Sequence, residues 1–232
     1  MPLSSRPLIV DAIVPAHDAA ATLGEVLARL PMRRLRSVVV VDGASRDATS
    51  AIARDAGALV LREPRRGYGA ACLRAIAHLT ALPEPPEAVA FVPGDGRADP
   101  AELPALLAPL DDASAELTIG VRGGGPPVGE RVVMGLIRAV YRHRFHDLGP
   151  MRAIRFAALV ALGMSDRGGG WDVEMAVRAL KLGIAIAEVP VSGGHAGADA
   201  GARPGSHQAG LAGAAIAGGR SLFHVLRHAT MR

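Results

Sequence analysis

The chain has one cysteine, Cys72, among 232 residues, which excludes an intrachain disulfide and fits a reducing compartment. Aromatic residues make up only 3% of it: two Tyr, four Phe and one Trp. That is too few for the stacking platforms on which nucleic acid strands are held, so nucleic acid is not an expected partner. No apolar run approaches the roughly 18 residues of a membrane-crossing helix, and no charged segment leading into an apolar one marks a secretory leader. Two nucleotide-binding signatures are also missing. The loop after the first apolar run reads Pro15-Ala16-His17-Asp18 rather than a glycine-rich turn, which argues against a dinucleotide fold, and no G-x-x-x-x-G-K-[ST] occurs to support P-loop phosphoryl chemistry. The expectation is a cytoplasmic protein without a transmembrane segment, able to make peripheral contact with the inner face of the membrane.

What the chain does have is bulk suited to buried parallel strands. Half of its residues are hydrophobic, with Ala, Val and Leu supplying most of the volume. The formal charge is +4 and the sequence pI about 10.1, because arginine dominates the cations. Apolar runs at Leu8 to Val14, Val38 to Val41, Ala58 to Leu61, Ala88 to Val92 and Glu116 to Val121 read as five strands, each followed by a polar loop and then a helical stretch. This alternation predicts one α/β domain over 1–232 with a mostly parallel central sheet flanked by helices.

In such sheets ligands bind outside the carboxyl ends of the strands. The loop Pro93-Gly-Asp95-Gly-Arg-Ala-Asp99-Pro100 therefore draws notice. Gly94 and Gly96 supply a permissive backbone. Asp99, Pro100 and Glu102 have the spacing of a capping box, as do Thr22 and Glu25 earlier in the chain. Asp95 is thereby fixed at a strand end, either as a ligand or catalytic group or as a turn aspartate bonding its own backbone.

Seven segments follow one another in the order found in family 2 glycosyltransferases. They are Ile13-Val-Pro15-Ala16-His17-Asp18, Val40-Val-Asp42-Gly-Ala-Ser45-Arg-Asp47-Ala-Thr49, Arg66-Gly67-Tyr-Gly69-Ala70-Ala, Pro93-Gly-Asp95-Gly, Asp147-Leu-Gly-Pro-Met-Arg152-Ala-Ile-Arg155, Gly170-Trp171-Asp-Val-Glu174-Met and Glu188-Val-Pro-Val191. The chain resembles that family over about residues 8 to 191, and within it the branch of dolichyl- and polyprenyl-phosphate sugar synthases. The resemblance implies a GT-A fold that binds a nucleoside-diphosphate sugar of the UDP-glucose or GDP-mannose type and transfers the hexose, with inversion, to a polyprenyl phosphate or a small acceptor.

It further implies roles by position. Pro15, Ala16, Asp18, Asp42 and Ser45 would surround base and ribose, and Arg66, Gly67, Gly69 and Ala70 would lie near the nucleotide. Asp95 would hold Mg2+ or Mn2+ at the diphosphate, Arg122 would sit near the phosphates, and Asp147, Arg152, Trp171 and Glu174 would line the acceptor side, with Asp95, Asp147 and Glu174 as the catalytic carboxylates. Residues 1–122 would form the nucleotide-binding half and 123–191 the acceptor half, followed by a flexible loop over 192–210 and a C-terminal helix over 211–232.

Four departures from the family pattern stand out. His17-Asp18 replaces Asn-Glu, Pro93 replaces the first member of the metal-binding Asp-x-Asp, Gly120-Val121-Arg122 replaces Gly-Ser-Arg, and the basic segment after Val191 is replaced by a Gly/Ala-rich run containing His195. These motivate an alternative, a degenerate relative that binds a nucleotide sugar without catalysis. A surface ion pair with Arg178 is the structural alternative for Glu174, and a packing ion pair with Arg152 is that for Asp147.

Overall fold

A computed structural model describes residues 6–126 and 128–192. Of the flexible loop expected over 192–210 only Ser192 is described, and His195 and the C-terminal helix expected over 211–232 lie outside the described residues. Among the described residues seven strands form one sheet in the order β3-β2-β1-β4-β6-β5-β7: β1 (Val10–Ala16), β2 (Ser37–Asp42), β3 (Leu59–Arg62), β4 (Ala88–Phe91), β5 (Leu117–Arg122), β6 (Arg152–Arg155) and β7 (Ile186–Val191). β1 pairs in parallel with β2 and β4, β2 with β3, and β5 with β7, whereas β6 runs antiparallel to both β4 and β5. The first five strands match those expected from the sequence; β6 and β7 add to them.

Alternation along the valine-rich strands sorts the core onto two faces. Ile13, Val39 and Val41 pack with α3 (Tyr68–Thr80), α6 (Phe156–Leu162) and α7 (Trp171–Leu182). Val14, Val38 and Val40 pack with α1 (Leu23–Ala28), Ala53 of α2 (Thr49–Asp55) and α4 (Leu103–Asp111). The amphipathic α5 (Val128–Tyr141) lays Ile137 against the first face. No helix among the described residues is long and apolar enough to cross a membrane.

Helix starts differ from expectation in detail. Asp99 caps through its carboxylate, which accepts from Ala101 N at 3.0 Å, but it heads a short 3-10 turn before α4. Glu102 does not close the box; its carboxylate accepts instead from the backbone N and hydroxyl of Ser192, at 2.9 and 2.7 Å. Thr22 donates its hydroxyl to Gly94 O at 2.9 Å rather than capping α1. For Glu102 and Thr22 a long-range partner has displaced the local one, tying a helix start to a loop at the sheet's carboxyl edge.

Candidate active site

The strand order reverses direction between β1 and β4, and the loops leaving these strands converge there with the loop leaving β2. Gly43 N donates to Ala16 O at 2.9 Å, and Gly94 N to Pro15 O at 3.2 Å. Pro15 lies beyond the last β1–β4 pair, Ile13 with Phe91; its carbonyl still accepts from Gly94 N, and its missing donor falls where the β4 ladder ends. Across the first two loops the bonding is reciprocal: Asp18 N donates to Ser45 Oγ at 2.9 Å, and Arg46 N to Asp18 Oδ1 at 2.7 Å. Asp47 and Thr49 complete the tie by accepting from Ala20 N and Ala19 N.

Asp18 and Ala44 both hold positive φ, 45° and 61°. The left-handed region is costly for a residue with a Cβ and persists where neighbours over-determine it, often at binding sites. Asp42 is buried, accepts from Ser45 N at 2.8 Å and from the Ser50 hydroxyl, and thereby shapes the loop. Burial raises its carboxyl, but the bonds from Ser45 and Ser50 outweigh this and hold it below the usual range.

The Arg66-Gly67-Tyr68-Gly69 segment serves a different contact. Gly69 N donates to Gly168 O at 3.1 Å and Ala70 N to Arg167 O at 3.0 Å. A Cβ on Gly67 would lie 2.0 Å from Arg167 O, and one on Gly69 2.1 Å from Asp166 O. The glycines are required because another stretch of backbone passes against them, which brings the 166–168 loop onto the start of α3. Arg66 is exposed beside this contact.

Asp95 is partly exposed, at 31% of its side chain, and its Oδ2 lies 2.7 Å from Arg97 Nε. Its Oδ1 accepts from Arg97 N at 3.3 Å, so the expected turn bond is present as well. Among the described residues no group of three or more His, Cys, Asp or Glu is placed to hold a metal. One carboxylate, with Pro93 contributing none, fits a Mg2+ or Mn2+ that takes most of its oxygens from a diphosphate and water, not one held by protein alone.

At the carboxyl end of β5 the expected partners are exchanged. Asp147 is fully buried and pairs with Arg122, not with Arg152. Burial raises the Asp147 carboxyl, but side-chain and backbone bonds from Arg122 prevail and keep it low. Arg122 also reaches Glu130 of α5 at 2.8 Å. Its guanidinium, expected near phosphates, is therefore engaged by two carboxylates. Arg152 is buried too, donating to the carbonyls of Leu148 at 2.7 Å and Asp172 at 2.9 Å.

Trp171 and Glu174, expected to line the acceptor side, are core residues. The Trp171 ring is buried edge-on against Phe91 with centroids 6.1 Å apart. The Glu174 carboxylate is fully buried, accepting from Ser165 Oγ at 2.6 Å, Asp166 N at 2.8 Å and Arg178 Nε at 2.9 Å. The Arg178 pair exists, but around a buried carboxylate rather than on a surface. Glu174 holds the 165–168 loop against α3 and has no face left for a substrate proton.

The residue missed between them is Asp172, 38% exposed in the first turn of α7 and 3.4 Å from Arg152. Its charge acts on Tyr68, Arg97 and Glu130, so it lies within electrostatic reach of the start of α3, the loop after β4 and α5. An acidic residue in a first helical turn reads from sequence as a favourable dipole partner, and that ordinary explanation conceals it. Arg97 was missed as well; a cation two residues from Asp95, in a turn made by two glycines, was the available signal.

The profile described as Glycosyl transferase family 2 matches residues 11–161, from β1 through α6. The chain is a family 2 glycosyltransferase. A Mycobacterium tuberculosis protein described as an uncharacterized glycosyltransferase is 36% identical to it over 193 residues, covering 80% of this chain and 85% of its own. Glycosyltransferase AglJ of Haloferax volcanii is 27% identical over 195 residues, covering 80% of this chain and 63% of its own. Glucosyl-3-phosphoglycerate synthase of M. tuberculosis, solved with Mn2+, UDP and glucosyl-3-phosphoglycerate, superposes with a TM-score of 0.78 at 21% identity, covering 97% of this glycosyltransferase and 81% of the synthase. At that identity the likeness is one of fold: the sheet and its flanking helices are those of a GT-A enzyme.

Proposed function

We propose that this glycosyltransferase moves a hexose, with inversion, from a nucleoside-diphosphate sugar to an acceptor that carries a phosphate. The observation that carries this is the meeting of the β1, β2 and β4 loops at the reversal of strand order, which gathers Asp18, Asp42, Ser45 and Asp95 at one sheet edge. Base and ribose would lie against Pro15, Ala16, Asp18, Asp42 and Ser45, with Arg66 and the start of α3 beside them. UDP and Mn2+ in a synthase of the same fold support a uridine donor of the UDP-glucose type; GDP-mannose is the other donor to test.

In the reaction an acceptor oxygen forms a bond to the sugar's anomeric carbon. The bond from that carbon to the diphosphate breaks, and its electron pair leaves with the nucleoside diphosphate. A Mg2+ or Mn2+ held by Asp95 and the diphosphate would supply positive charge for that leaving group. A polyprenyl phosphate presents an oxygen that is already ionised, so no strong base is required. An acceptor hydroxyl requires one, and Asp172, a partly exposed carboxylate beside Arg152, is the group that would take its proton.

Incubating the protein with UDP-glucose or GDP-mannose, Mn2+ or Mg2+, and either a polyprenyl phosphate or a small phosphorylated hydroxyl acceptor tests the reading by product analysis. Transfer to one acceptor class is expected. Nucleotide binding without transfer or donor hydrolysis above background would instead establish the non-catalytic alternative.

A further inference from the structure

The loop after β4 carries a cation where a metal site gains by having none. Pro93 removes one carboxylate from the position where the family pattern has Asp-x-Asp, and Arg97 brings a guanidinium within 2.7 Å of the carboxylate that remains. A partly exposed pair of this kind is worth little when its side chains must be ordered to make it. Here the chain itself supplies the order. Gly96, at φ 77°, folds residue 97 back toward residue 95, and Arg97 N already bonds Asp95 Oδ1. The charge of Asp172 adds to the attraction on the guanidinium.

We infer that Arg97 is the resident counter-ion of this site, occupying Asp95 in the free protein so that a divalent ion gains the carboxylate only together with a diphosphate. The argument is one of charge. A hard dication selects clustered negative oxygens, and Asp95 paired with Arg97 presents almost no net charge. A diphosphate changes the balance in two ways. Its oxygens supply most of the ion's ligands, and they offer Arg97 a second anion, for which a planar guanidinium with several spare N–H groups is well shaped. Arg97 then passes from carboxylate to phosphate as the ion arrives. The inference rests on the donor reading above for its second half only; the pairing of Arg97 with Asp95 does not depend on it.

The test is a titration of the full chain with Mn2+ in the absence of nucleotide, following the free-ion electron paramagnetic resonance signal, repeated for Arg97→Gln, Arg97→Lys and the double variant Arg97→Gln/Asp95→Asn. The expected result is weak binding by the wild type and by Arg97→Lys, binding about tenfold tighter by Arg97→Gln, and loss of that gain in the double variant. Calorimetry with UDP then shows metal-free binding weakened in Arg97→Gln and restored by Mn2+. Equal Mn2+ affinity in wild type and Arg97→Gln would overturn the inference, as would a gain that survives loss of Asp95. Failure of both UDP and GDP to bind the wild type would defeat the donor reading instead, while the Mn2+ titration would still decide the role of Arg97.

Discussion

Asp147 accepts three hydrogen bonds from one residue, Arg122: from its backbone N at 2.9 Å, its Nε at 2.8 Å and a terminal nitrogen at 2.6 Å. The pair closes the end of β5 onto the segment that leads into β6, and it lies inside the protein rather than on it. Removing one partner of a buried pair leaves the other charge uncompensated. Asp147→Asn is therefore expected to cost about 3 kcal/mol of stability, read as a shift in the urea midpoint with an unchanged slope.

The same carboxylate links stability to pH. The folded-state pKa values of Asp147, Glu174 and Asp42 all lie below their ordinary values. For a depressed carboxyl the contribution is complete above the unfolded pKa and is lost as pH falls through the folded one. Stability should thus hold above about pH 5 and decline below about pH 4. Thermal melts of wild type and Asp147→Asn between pH 7 and 3 check this: the variant's curve is the flatter one, and parallel curves would refute the assignment.

Two glycines test how closely the backbone is packed. A Cβ on Gly69 meets Asp166 O at 2.1 Å, and one on Gly149 meets Gly120 O at 1.7 Å. Backbone cannot retreat as a flexible side chain does, so Gly69→Ala and Gly149→Ala should each cost about 1–3 kcal/mol. Differential scanning calorimetry would show both; an unshifted melting temperature in either would mean that the contact is looser than described.

Glu174 separates support from chemistry. Glu174→Gln puts an amide among the donors Ser165 N, Ser165 Oγ, Asp166 N and Arg178 Nε and should cost about 2 kcal/mol. Turnover per folded molecule should stay within about tenfold of wild type, whereas removal of a general base costs about 10²–10⁴-fold. Kinetics corrected for the folded fraction distinguish the two, and a loss of the larger size would return Glu174 to the reaction.

Asp172 is expected to behave in the opposite way. With a hydroxyl acceptor, Asp172→Asn should lower kcat by about 10²-fold or more while leaving donor binding intact. With an ionised phosphate acceptor it should change kcat little. Comparing the two acceptor classes on one variant therefore reads out the nucleophile, and a uniform loss would assign Asp172 to positioning Arg152.

The sequence made the donor-side loops legible because their chemistry is local. Four consecutive valines define β2, and Asp42, Ser45 and Asp95 sit at strand ends marked by glycine and turn residues. β6 escaped notice because Arg152-Ala-Ile-Arg155 is four residues long with a cation at each end, and its pairing comes from strands remote in sequence. β7 contains Pro190 and Glu188, unremarkable only on a sheet edge. The acceptor side was misread for a related reason. Arg122 and Asp147 are separated by 25 residues, and no local pattern shows that Asp147 prefers this arginine to the nearer Arg152. Glu174 resembled a residue beside an open loop because Gly168-Gly-Gly170 precedes it, yet that loop is folded against α3.

The reversed strand β6 also sets an order of assembly. β5 is flanked by β6 and β7 alone, so as the polypeptide leaves the ribosome β5 emerges with neither neighbour yet made. The four strands already synthesised can close on one another, with β4 as a temporary edge. Growth of the sheet then waits some thirty residues for β6 to slot between β4 and β5 and join the two parts. Cutting the chain after residue 122 would leave β5 stranded beside a bare edge, an invitation to self-association rather than a working half.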